Sequence, residues 1–364
     1  MNRIVEGLYI HIPFCQSICT YCSFSKLLYN KKFVSSYLIS LKNELDKYRN
    51  FTFKSIYIGG GTPNSLDNDE LSFLFDMIAP YKNNKTIITI EVNPDLTSQQ
   101  IAILKKYQVK RVSIGVQTFN QEILSLINRK SDFQQVSSLI NELIKNGIED
   151  INLDLIYGFN DESLKILQND LELFTSLPIK HVSTYCLQVE KNTILSNKDY
   201  PELADEKASE QYNFIVNYLS KKGFFRYEVS NFAKKGFESK HNLIYWNNLE
   251  YVGIGLSAAS YLDNIRRSNT KNLNKYLLQQ YDDYEEILTE EDKEFYFIML
   301  GLRKEEGINL DLYQQLFKKD FLVAYHDKLI SLFKNEDLIL QDKRIFINPK
   351  KMFIMDFILR KLLF

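Results

Sequence analysis

Cysteine is scarce in this chain, with four in 364 residues, and three of them (Cys15, Cys19 and Cys22) share one eight-residue window. So few cysteines, without a secretory leader, make a disulfide framework a poor reading. No apolar run reaches membrane-spanning length, and the opening MNRIVEGLYIHIPF lacks the long apolar core of a signal peptide. The sequence therefore predicts a cytoplasmic protein with no transmembrane segment, whose thiols stay reduced and free for metal. Charge of one sign is also missing: the net charge is −1, so no broad basic field argues for a nucleic-acid partner. There is no internal repeat and no low-complexity tract. What is present is ordinary for a globular chain, 45% hydrophobic and 25% charged, with length for one large domain plus a small one, or two domains.

The clustered cysteines lie in LYIHIPFCQSICTYCSF, Leu8 to Phe24. A short apolar strand runs into Pro13, and the thiols follow in a loop. Three local thiolates hold a cubane iron–sulfur cluster and leave one iron open, since such a cube takes four ligands. Other readings compete. The spacing i, i+4, i+7 is one face of a helix, although Pro13 and the strand-like LYIHI argue against a helix there. A zinc site normally shows four ligands, and Cys186 or a distant histidine would have to complete it.

Taken in order, the chain alternates strands and helices. Strands are predicted at Ser55–Ile58, Thr86–Val92, Arg111–Gln117, Ile151–Gly158 and His181–Leu187. Helices are predicted over Lys32–Arg49, Asp69–Pro80, a segment opened by a Thr97/Gln100 capping box, Ser131–Asn146 and Ser163–Phe174. Six β-then-α units with apolar strands predict an α/β fold, a parallel sheet wrapped by helices. Six units are short of eight, so the expectation is a partial (β/α)6 barrel, open rather than closed, with its polar residues at the strands' carboxyl ends. The barrel is expected over 1–200 and a barrel-completing segment over 201–288. A small C-terminal winged-helix-like α+β unit is expected over 289–364. That last segment has 13 basic and 13 acidic side chains, which suits a lid or interaction module better than a nucleic-acid binder. The GIGLSA stretch, Gly253–Ala258, has incomplete dinucleotide spacing and reads as a close approach to an adenosyl group.

The motifs HIPFC-x3-C-x2-C, GGGTP, EVNP, SIGVQTF, INLDLIYG, YEVSNFA and HNLIYW, in this order over roughly Leu8 to Leu262, resemble the radical S-adenosylmethionine proteins related to oxygen-independent coproporphyrinogen III oxidase. The resemblance implies a [4Fe–4S] cluster on Cys15, Cys19 and Cys22, with S-adenosylmethionine on the open iron. It places Tyr9, Tyr21, Gly60, Gly61, Thr62, Glu91 and Ala259 at that cofactor. The glycine loop there is expected to let backbone approach the methionyl end. Gln117, Arg129, Asp154 and Cys186 match positions that hold a second S-adenosylmethionine in the oxidase.

The chain departs from the oxidase at Phe24, where the oxidase has a fourth cysteine, and it lacks the oxidase's extra N-terminal segment. Both features, with His241-Asn242-Leu243-Ile244-Tyr245-Trp246, resemble the HemW-type haem chaperones. That resemblance implies haem as cargo, with His241, Tyr245 and Trp246 as haem-binding residues, an unidentified haem-acceptor protein, and a possible homodimer. Imidazole is a common haem ligand, and Trp246 offers a stacking face. A structural turn with a satisfied His241 is the competing reading. The expected function is binding haem and passing it on. The alternative is an enzyme, the oxidase itself, decarboxylating coproporphyrinogen III to protoporphyrinogen IX.

Overall fold

A computed structural model describes residues 2–364. One sheet is built from strands whose central members are apolar and largely buried, while its edge strands are polar and largely exposed. In chain order these are β1 (Arg3–Ile12), β2 (Phe51–Gly60), β3 (Ile87–Val92), β4 (Arg111–Gln117), β5 (Asp150–Tyr157) and β6 (His181–Cys186), then β7 (Phe225–Glu228), β8 (Asn231–Ala233), β9 (Tyr251–Ile254), β10 (Ala259–Leu262), β11 (Ile265–Asn269) and β12 (Asp282–Ile287). Across the sheet their order is β12-β11-β10-β9-β1-β2-β3-β4-β5-β6-β8-β7. The six expected parallel strands are there, from β1 to β6. A seventh, β9, also runs parallel, on the other side of β1, pairing Leu8 with Val252. Antiparallel strands continue the sheet past both ends. The sheet stays open, as the count of six units predicted.

Helices α1 (Lys31–Leu45), α2 (Asn68–Ile78), α3 (Ser98–Lys106), α4 (Phe133–Lys145), α5 (Leu164–Ser176) and α6 (Asp205–Lys221) connect or follow the strands. Their starts are legible in the sequence. The Thr97/Gln100 capping box is formed, and a second one, Asp67/Glu70, opens α2. Gly147, at φ +85°, closes α4 just past the predicted helix end at Asn146. Side-chain alternation decides which face sees which layer. Leu8, Ile10, Ile56, Ile58, Ile88 and Ile90 are buried in the apolar core. Tyr9, His11, Tyr57, Glu91, Asp154 and Tyr185 alternate with such residues; contacts among the first four, and the one cavity that Glu91, Asp154 and Tyr185 line, place them on the concave face.

A seven-residue helix, α7 (Lys240–Trp246), lies against β1 and β2 on that concave side. Gly7 makes room for it, because a Cβ there would sit 3.1 Å from Ile244 and 3.3 Å from His241. Beyond β12 come α8 (Glu290–Gly301), α9 (Leu310–Phe317), α10 (His326–Lys334) and α11 (Met355–Leu363). A three-stranded sheet, in which 308–309 and 338–341 both pair with 344–347, accompanies them.

The reading of GIGLSA needs correction. Its first residues are strand β9, and its glycines serve the chain's own packing. A Cβ on Gly253 would lie 2.0 Å from the Ala259 carbonyl oxygen, and Gly255 (φ +101°) packs under the carbonyl of His11.

Candidate functional site

The three cysteines project from a loop pinned on several sides. Leu27 N–H donates to the Pro13 carbonyl (2.7 Å) and Tyr29 N–H to Cys15 (2.9 Å), closing the base. Thr20 donates through its hydroxyl to Leu126 (2.9 Å), and Asn128 donates to Ile18 (2.8 Å), fixing the far side. Lys26 caps the Cys22 carbonyl. His11 ties the loop to the sheet, with Nε2 2.8 Å from the Ser25 carbonyl and Nδ1 3.0 Å from the Tyr9 hydroxyl.

All three thiols are free and line one cavity of about 350 Å³, open at one side. Burial pushes the Cys15 and Cys22 thiols above the usual range, a cost that metal binding would remove by taking the proton's place. Thr62 Oγ1 lies 3.6 Å from Cys15 Sγ. Among the described residues no three His, Cys, Asp or Glu side chains converge on one point, as a mononuclear zinc ion requires. A cube asks only one thiolate per iron, so the donor set fits the cluster.

Glu91 stands on the facing wall. Its carboxylate accepts from the Tyr57 hydroxyl (2.6 Å) and the Gly60 N–H (3.1 Å). Burial nevertheless pushes it up to about 7, with the nearby Asp154 adding to the rise. A buried carboxylate without a cationic partner suits a positively charged ligand. Gly60, at φ +113°, turns the backbone over His11, where any Cβ would sit 2.6 Å from the imidazole. Gly61 is closed to side chains by Pro13. These glycines are therefore required by the chain itself, and the resulting bare backbone lines the cavity.

Of the residues expected at the cofactors, Tyr21, Thr62, Gln117, Arg129, Asp154 and Cys186 line this same cavity. Gln117 sits at φ +73°, an uncommon backbone region for a non-glycine, at an irregularity between β4 and β5. Thr118 and Phe119 just after it donate to Asp170 of α5 at 2.5 and 2.7 Å. Arg129 donates to Asn93 and to the Gly115 carbonyl, at 2.8 and 2.9 Å, while its Nε is buried without a partner. Asp154 is held by Asn152 (2.7 Å) and its carboxyl is raised by burial. Cys186 keeps its proton, since burial pushes the thiol to about 11.

Two expected residues lie elsewhere. Tyr9 and Ala259 line a second hollow of about 410 Å³, together with Tyr245, Trp246 and Arg266. His241 is also differently placed. It is buried, with Nδ1 2.9 Å from Ser55 Oγ and Nε2 2.8 Å from the Tyr245 hydroxyl. Both ring nitrogens are engaged, and burial lowers the imidazole to about 3, so it is neutral. In this conformation His241 anchors α7 to the sheet and has no nitrogen free for an iron.

Tyr57, Asn93 and Arg266 were not singled out in the sequence. Tyr57 carried a signal: in Ser55–Ile58 the polar residues alternate with isoleucine, placing Ser55 and Tyr57 on the concave face. Arg266 carried none, because its surroundings are assembled from distant segments.

The Radical SAM superfamily profile matches residues 9–174, and that of the HemN C-terminal domain matches 288–353. The structure superposes on the Escherichia coli coproporphyrinogen III oxidase HemN with a TM-score of 0.88, at 21% identity, over 99% of this chain and 90% of that one. That likeness concerns the fold. A protein of Lactococcus lactis named "Heme chaperone HemW" is 36% identical over 93% of this chain and 92% of its own length. One of the same name from Bacillus subtilis is 36% identical over 90% and 89%. With such identity across nearly the full length of both partners, the chain belongs to the HemW family of the Radical SAM superfamily.

Proposed function

We propose that the chain binds haem and hands it to an acceptor protein. We propose further that it does so with a [4Fe–4S] cluster on Cys15, Cys19 and Cys22, and with S-adenosylmethionine beside it. The observation that carries the reading is one cavity walled by three free thiols on one side and by Glu91, Asp154 and bare glycine backbone on the other. The names of the relatives supply the cargo.

Once bound, the cluster supplies an open iron and an electron. The chain's own residues do the rest. Three thiolates grip, with the Lys26-capped loop holding them in register. Gly60 and Gly61 offer backbone to a methionyl end. Glu91, steadied by the Tyr57 hydroxyl, faces positive charge. Gln117, Arg129, Asp154 and Cys186 line the remainder. Phe24, exposed at the cavity mouth, replaces the oxidase's fourth cysteine and argues for the chaperone over the oxidase.

The test is anaerobic reconstitution with iron and sulfide, followed by parallel assays. Haem titration should shift the Soret band, and coproporphyrinogen with S-adenosylmethionine and reductant should stay unconverted. Accumulation of protoporphyrinogen would replace this reading with the oxidase. Stoichiometric zinc in place of iron and sulfide would remove the cluster from it.

A further inference from the structure

Beside the cysteine-lined cavity lies a buried polar layer with no part in the function proposed above. Ser113 of β4, Asn152 of β5, and His181 and Ser183 of β6 stand in register around Asp154, and all four are buried. Asn152 is the hub. Its amide nitrogen lies 2.7 Å from Asp154 Oδ1 and 2.6 Å from Ser113 Oγ. Its oxygen lies 2.6 Å from His181 Nδ1 and 3.2 Å from Ser183 Oγ. On the other side of the imidazole, Nε2 is 2.8 Å from the Tyr227 hydroxyl, and that oxygen accepts from the Ser239 N–H at 3.2 Å.

The far end of this chain fixes its direction. A backbone N–H can only donate, so the Tyr227 oxygen accepts from Ser239 and its own proton goes to His181 Nε2. Burial, with Arg111 nearby, holds the imidazole far below its usual range, so it is neutral. Its proton therefore sits on Nδ1 and is given to Asn152 Oδ1. That turns the amide nitrogen of Asn152 towards Asp154. The reverse arrangement would set the Asn152 carbonyl against the carboxylate, a costly mismatch among buried groups. Asp154 is the member that reaches the cavity. Asn152 holds its Oδ1, and Oδ2 keeps a longer 3.4 Å contact to Ser113 Oγ.

We infer that His181 and Asn152 are positioning residues for the cofactor site. The relay Ser239–Tyr227–His181–Asn152 turns a donor onto one oxygen of Asp154 and leaves the other for S-adenosylmethionine. The inference rests on the cofactor reading above and adds the residues that set the carboxylate's orientation.

The test uses the full chain in two measurements. The first is nitrogen NMR of cofactor-free protein carrying isotope-labelled histidine, where the His181 signals are those lost in His181→Asn. Nδ1 should carry the proton and Nε2 none; the opposite tautomer overturns the relay. The second is titration of the anaerobically reconstituted protein with S-adenosylmethionine. His181→Leu, which drops the donor to Asn152, should weaken binding about tenfold, the scale of one hydrogen bond to a charged group. His181→Asn, whose amide nitrogen stands in for Nδ1, should restore it to within about twofold. In an Asp154→Asn background His181→Leu should cost nothing further, because residues acting through one group are not additive. An independent loss in that background overturns the positioning role. So does full affinity in His181→Leu, or an Asn variant as weak as the Leu variant. Should His181→Leu fail to fold, Tyr227→Phe takes its place: binding should weaken about threefold or more, and unchanged affinity overturns the inference. Wild type that binds no S-adenosylmethionine overturns the cofactor reading, and this inference with it.

Discussion

Glu91 carries a charge that its neighbours only half stabilise. Two donors hold the carboxylate, yet burial raises it to about 7. Because the folded value lies above the ordinary carboxylate range, the protonated form is the one favoured by folding. That contribution is complete below the ordinary value and disappears as pH rises through about 7. The gap corresponds to about 3 kcal/mol at most. Glu228, pushed to about 7, and Glu162, to about 8, act in the same direction. Buried neutral His241 acts the other way below its ordinary value of 6.5, so the metal-free protein is expected to lose stability from about pH 6.5 to about pH 8, and Glu91→Gln should remove part of that loss. Urea unfolding midpoints at the two ends of the range measure it; parallel pH dependence in the variant would refute the assignment. A cationic ligand beside Glu91 releases its proton, so affinity for S-adenosylmethionine is expected to rise over the same interval. The thiols give the complementary expectation. Replacing any one of Cys15, Cys19 or Cys22 by alanine should abolish the visible absorption of the reconstituted cluster, whereas Cys186→Ala should retain it.

At the scale of elements, α7 is the piece whose role the sequence leaves open and the structure specifies. Seven residues are too few for a helix to hold itself together in water, so its contacts decide its position. Ser55 and the Tyr245 hydroxyl fix His241, and Gly7 clears the ground beneath. His241→Ala leaves those two polar groups unpaired around a cavity, and should cost about 2–4 kcal/mol of stability. Any loss of haem affinity in that variant has to be separated from this cost by comparing unfolding midpoints. Gly7→Val is the sharper probe, because it pushes directly on Ile244 and His241 while leaving every polar side chain of α7 in place; about 1–3 kcal/mol is expected, and a midpoint equal to wild type would show that α7 does not rest there. The parallel strands, one capping box and the cysteine loop were readable because each is written in adjacent residues: apolar runs, Thr97 with Gln100, three thiols in one window. Strand β9 was not, since four residues containing Gly253 carry too little periodicity, and its place beside β1 depends on a pairing more than 240 positions away in the chain. His241 was readable as a residue of interest. Its inward orientation was not, because Ser55 and Gly7 lie on strands remote in sequence. Tyr9 and Ala259 went to the second hollow for the same reason.

At the scale of the whole molecule, the two cavities share a wall, and Tyr57 is its centre. Its hydroxyl meets Glu91 in the cysteine-lined cavity. Its ring stacks 6.2 Å from Tyr9 and lies 5.1 Å from His241, centre to centre. Tyr9 and the His241-bonded Tyr245 then line the second hollow. A ligand that reorganises Glu91 therefore moves a group packed against the backing of the other site, without requiring any long relay. Coupling of this kind is reciprocal in binding free energy. S-adenosylmethionine is accordingly expected to change haem affinity by a measurable factor, on the order of fivefold or more, and haem to change S-adenosylmethionine affinity by the same factor. Tyr57→Phe keeps the ring and its packing but cuts the bond to Glu91, so the factor should fall towards one while each ligand still binds alone. Titrating each ligand in the absence and presence of the other, in both proteins, completes the cycle. A factor that is the same with and without the hydroxyl would mean that the shared wall transmits nothing, and that the two cavities work independently despite their contact.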